Sequence, residues 1–237
     1  MTREESNSPP KIPRIIIILG YIFSLLFFPL LWIDTQSDPV SHAIAGMALG
    51  LLVFWMLIAA GIQRLIRDKL PQIQDNILLK FTILATVLAL IEEAITTTMT
   101  NLARPVWHVS PQDAHITAST NYFEVVLLNS VIVFIPMFLY WGYMLQRYDF
   151  HHLWVYLLFG ITGTLAETLS FGPSNLLSIG FWLNIYGLIV YLPAYLIKDQ
   201  DRSKPPRYLY LGSIFLPLIV ALPVVIVVLI IRSVLGI

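Results

Sequence analysis

Apolar residues gather along the chain in runs of about twenty, each closed by a short polar or proline-bearing stretch. At 1.5 Å per residue, about twenty helical residues cross a hydrocarbon layer of about 30 Å. Seven such runs are read here: 15–33, 43–62, 77–103, 121–145, 153–171, 175–197 and 209–231. They predict an all-α, polytopic membrane protein, a bundle of about seven transmembrane helices forming a single domain over 15–237. The third run is longer than a crossing needs, so its polar end is expected to emerge from the hydrocarbon. Gly172, Pro173 and Ser174 predict a tight turn between the fifth and sixth. Residues 1–14 are polar, carry Pro9, Pro10 and Pro13, and are expected to be a disordered cytoplasmic tail. The first apolar run is too long for a signal-peptide core and lacks a small-x-small cleavage site, so it should remain as a span.

Composition agrees. Hydrophobic residues make up 57% of the chain and charged residues only 12%, against about 25% charged in soluble domains. Mean hydropathy is +0.78. The formal net charge is zero, and the basic residues lie in loops without interleaved aromatics, so nucleic-acid binding has no support. Cys is absent, which excludes disulfides, thiolate nucleophiles and thiolate metal sites. With no Cys and no glycosylation sequon, the expected setting is the plasma membrane of a prokaryote.

Loop charge sets the orientation. With the N-terminus cytoplasmic, the inner side collects Arg3, Lys11, Arg14, Arg64, Arg67, Lys69, Arg147, Lys198, Arg202, Lys204 and Arg207, and the outer side only Arg104 and Arg232. Lys80 can reach back to the inner surface. The C-terminus is then outside.

Carboxylates in hydrocarbon cost on the order of 2.5–3.5 kcal/mol each even on lenient scales, so they usually face a bundle interior or a water-filled cavity. Glu92, Glu93, Glu124 and Glu167 lie inside or at the edge of the spans. In this topology all four fall toward the outer face, which makes them the candidate catalytic groups. Glu92 and Glu93 diverge by about 100° on a helix, so at most one is expected to point into any single cavity; a structural hydrogen bond is the plain alternative. Glu167 follows Gly160 and Gly163 on one stripe, where a neighbouring helix can approach closely. Gly46 and Gly50, and Gly180 and Gly187 around Asn184, read as packing seams. The outer loop 104–120 holds His108, Asp113 and His115. Glu93, Glu124, Glu167, His108 and His115 are residue types that would take a divalent metal as cofactor, although their spacing fits no metal motif and each loop His reads alone as a solvated side chain.

Three functions follow. The first is an enzyme acting on a lipid or isoprenoid substrate that enters from the bilayer, using the carboxylates as acid/base groups or metal ligands. The second is a proton- or cation-coupled transporter. The third is a non-catalytic assembly component whose glycine stripes face another protein. Membrane lipid and a hydrophobic small molecule are the expected partners, and the sequence leaves the oligomeric state open.

Glu92-Glu93 resembles the paired acids of the glutamate-type intramembrane proteases of the prenyl-protease group and of the membrane lycopene cyclases. The first group has Arg four residues after the second acid, where this chain has Thr97. The second usually has Pro before the acids, where this chain has Leu90-Ile91. The likeness covers about ten residues and carries over no activity.

Overall fold

In the computed structural model, residues 10–197 and 202–236 are described, and among them a succession of helices is joined by short connections and one long loop, 108–121. Residues 1–9 of the expected tail and Lys198 of the basic loop lie outside the described residues. Lys11–Arg14 of that tail are already helical. Helix α1 runs Lys11–Asp34, with Pro13 in the first turn, where a missing N–H costs little.

Helix α2, Pro39–Ile66, starts on an Asp38 cap that accepts from the Val40 N–H at 3.2 Å, with Pro39 in its first turn. Its middle, Leu52–Ala59, is wound as a π-helix. Helix α3, Ile77–Asn101, leads into the short α4, Ala103–Trp107, which stops at a left-handed His108. Helices α5, Tyr122–Leu128, and α6, Val131–Arg147, meet at a 44° bend. Asn129 breaks the helix there, and the Ser130 N–H reaches Val125 O at 2.9 Å. Asn and Ser offer the backbone local alternatives to helical bonding, which suits them to such a break. Helix α7 is His152–Phe171 and α8 is Ile179–Tyr195. The expected three-residue turn between them is longer: Gly172 takes φ +103°, a conformation open to glycine, and a 3₁₀ turn over Pro173–Ser178 follows. Helix α9, Arg207–Leu235, closes the chain.

Helices α1, α2, α7 and α9, with α8 and its preceding turn, are long and apolar enough to cross a membrane, and the bent α5–α6 pair makes a sixth if counted as one span. The third expected span, α3, is 25 residues long but carries Lys80, Glu92 and Glu93, and is not among them. Lys80 pairs with Asp75.

Helix α8 is the axis of the bundle, packed against α7, α1 and α3, while α6 lies between α3 and α9. Large apolar side chains on α1 and α9 point mostly outward, as on helices that face lipid. Close approach of α7 and α8 depends on glycine: a Cβ on Gly163 would stand 2.2 Å from the Tyr186 ring, and one on Gly187 would stand 2.3 Å from the Tyr156 ring. Two side-chain hydrogen bonds hold α2 to α8, Trp55 Nε1–H to Ile185 O at 3.0 Å and Gln63 Nε2–H to Leu188 O at 3.2 Å.

The buried amide of Asn184 finds both partners it needs. Its Nδ2 donates to Gly180 O at 2.7 Å, and its Oδ1 accepts from the Tyr156 hydroxyl at 2.7 Å. Replacing Asn184 with Leu strands the Tyr156 hydroxyl from the side-chain acceptor. We expect a loss of about 1–3 kcal/mol, read as a lower Tm in detergent and reversed in part by Tyr156→Phe on the same background.

Candidate functional site

Helix α3 carries Glu92, Glu93 and Thr96 to the wall of a small cavity. Helix α7 brings Glu167, α8 brings Trp182 and Tyr186, and the α5–α6 break brings Asn129 and Ser130. Ile116, Thr117 and Ala118 of the long loop line its remaining wall. The cavity measures about 40 Å³, room for about two or three waters where one needs some 10–15 Å³.

The acids are held in different ways. Glu92, 3% exposed, accepts from the Thr96 hydroxyl at 2.7 Å through Oε1. Glu93, 7% exposed, lies against Ser130. Glu167 accepts a hydrogen bond from the Tyr186 hydroxyl through Oε1. Tyr186 is itself fixed by the Gly163 seam on one side and by Phe134, whose ring centroid lies 5.6 Å away.

Both adjacent glutamates therefore line one cavity, against the expectation that only one would. Glutamate has three rotatable bonds, and the cavity is walled around α3 by the loop, the α5–α6 break, α7 and α8. A 100° divergence at Cα is closed by side-chain length.

The loop is folded back and packed. Val109, Ala114 and Thr117 are buried, the Ile116 N–H donates to Thr100 Oγ1 at 3.3 Å, and Asn101 Nδ2 donates to Thr120 O at 3.0 Å. These bonds press 116–118 over the acids and turn His115 outward. His108 and His115 are both exposed, and His115 lines a separate hollow with Pro111 and Gln112. Glu124 is not on the cavity wall; its Oε2 accepts from Ser119 Oγ at 2.8 Å. Among the described residues no three of His, Asp and Glu are grouped so as to hold a metal ion. The five-residue set Glu93, Glu124, Glu167, His108 and His115 is thus not assembled.

Two wall residues went unnoticed in the sequence. Trp182 and Tyr186 are one helical turn apart, on the turn of the sixth run that also holds Asn184, and their i, i+4 spacing places them on one face. Aromatics in an apolar helix read as packing, and only the partner α7 shows that this face meets Glu167.

Chemically, the site is three carboxyls and a phenol around a few waters' volume, with Ser, Thr and amide groups between. Like charges brought into one low-dielectric space repel. Tyr186→Phe removes one donor from Glu167 without a change of shape, so we expect a loss of about 0.5–1.5 kcal/mol, with the carboxyl stretch of Glu167 shifted in the infrared spectrum.

No family model matches the chain, and no curated protein or solved structure matches it significantly.

Proposed function

We propose that this chain is a seven-span, N-in membrane protein in which α3 also crosses, and that its carboxylate centre binds and releases a proton or small cation as part of coupled transport. One observation carries the reading: Glu92, Glu93 and Glu167, from two helices, meet in one cavity at a broken helix. Buried acids facing a bundle interior are the usual relay groups of pumps and transporters, and discontinuous helices recur at the ion sites of membrane carriers. The cavity's volume suits water or a bare ion. The lipid-enzyme reading keeps one supporting feature: Phe171, 52% exposed, stands on the cavity wall.

Flux decides between them. Purified protein in liposomes loaded with a pH-sensitive dye should dissipate an imposed proton or cation gradient faster than protein-free liposomes. Equal rates under both gradients would remove the transport reading.

A further inference from the structure

We propose that a second, larger cavity, at the end of the bundle where α1 begins, is a binding site for a phosphate ester, carried by the headgroup of an anionic lipid or by a soluble compound. This does not depend on the transport reading. The cavity measures about 380 Å³, within the roughly 300–1,000 Å³ of small-molecule sites. It lies at the opposite ends of three helices from the carboxylates. Leu145 of α6, His152 and Trp154 of α7, and Ala194 and Tyr195 of α8 line it, with Pro10 before α1; the carboxylate cavity takes the α5–α6 break, Glu167 and Trp182.

Its polar wall is built into the fold. The Asp149 N–H donates to Ser203 O at 3.0 Å, which pins the segment carrying Arg202 and Lys204. The Arg202 side chain is only 9% exposed; it donates to Leu145 O and stands 3.6 Å from the Asp149 carboxylate. Lys204 is exposed and lines the same cavity. His151, also on the wall, accepts from the Leu153 N–H at 3.2 Å through Nδ1. Burial holds its pKa below the ordinary value, so near neutral pH the ring is uncharged and carries its hydrogen on Nε2. That Nε2–H makes no hydrogen bond among the described residues, which leaves a donor for a ligand. Trp154 and Phe150 flank Tyr210, with ring centroids 5.0 and 5.2 Å from it, and give the organic part of an ester an apolar side.

Among the described residues of the wall, two cations and a ring N–H thus stand against one acid, Asp149, which Arg202 balances. Lys and Arg are the usual partners of phosphate. Basic pockets between membrane helices recur as sites for phosphorylated headgroups. The rule that basic residues collect on the inner side accounts for their number at this end, but not for a buried arginine in an aromatic-walled cavity.

The test is thermal unfolding of the full chain in nonionic detergent, titrated with dihexanoyl phosphatidylglycerol, dihexanoyl phosphatidylcholine or glycerol phosphate. A ligand of the folded state raises Tm with its concentration. Saturable stabilisation by phosphatidylglycerol without glycerol phosphate places the phosphate on a lipid; stabilisation by glycerol phosphate places it on a soluble ester. Stabilisation by neither, or by phosphatidylcholine as much as by phosphatidylglycerol, would overturn the proposal. Lys204→Glu, at an exposed position, should weaken the stabilising ligand at least about tenfold. Lys69→Glu, the same reversal beyond the end of α2 but off the cavity wall, should change its affinity little. Equal loss in both would mean diffuse surface charge and no site. Phosphorus NMR of wild type gives a readout that needs no variant: the ligand's signal should shift and saturate at one equivalent, and an unshifted signal would overturn the site.

Discussion

Glu167→Gln should abolish flux in liposomes while leaving the bundle folded. The carboxamide keeps the shape and can still accept from Tyr186, but it can neither release a proton nor balance a cation. Removing a positioned acid/base group typically costs about 10²–10⁴-fold in rate, which would put the variant at the protein-free background. Glu124→Gln supplies the contrast. Glu124 bonds Ser119 and does not line the cavity, so the variant's flux should stay close to that of wild type. Equal loss in both variants would mean that the acids do not work as a separate centre.

Gly163→Val should be the most destabilising single change near the site. Its Cβ would lie 2.2 Å from the Tyr186 ring and 2.6 Å from the Tyr186 Cβ. The near atoms belong to the base of the side chain, so the ring cannot swing clear unless α7 and α8 separate. Overpacking of this kind costs about 1–3 kcal/mol or more. It should also pull the Tyr186 hydroxyl off Glu167, so that Tm and flux fall together. Gly61→Ala, with nothing within 4 Å of the added Cβ, should leave both unchanged.

The sequence carried the helical class clearly because hydrocarbon admits few solutions for a chain this apolar. Run boundaries were less legible. Lys11 and Arg14 lie within the first helix although they are charged, since a helix end in headgroups or water needs no apolar side chains. Asn129 and Ser130 sit inside an apolar run, and their capacity to break it shows only when the backbone is built.

The acids divide in the same way. Glu92, Glu93 and Glu167 could be singled out because burial of a carboxylate is costly wherever it occurs. That Glu124 stands apart and the histidines face outward depended on the path of residues 108–121. That path is set by the Ile116 and Thr120 backbone bonds to Thr100 and Asn101, which leave no periodic trace. Tyr186 and Trp182 were invisible for the complementary reason, since an aromatic facing lipid and one facing a carboxylate read alike in one dimension.

The central claim is that Glu92, Glu93 and Glu167 form one centre in a cavity of about 40 Å³. A hydrophobic carbodiimide, which attacks protonated carboxyls from the bilayer, tests it directly when adducts are located by mass spectrometry. One adduct per molecule is predicted, on any one of these three residues, because the first fills the space the others share, with Glu124 unmodified in the same species. Molecules bearing adducts on two of the three, or preferential labelling of Glu124, would contradict it.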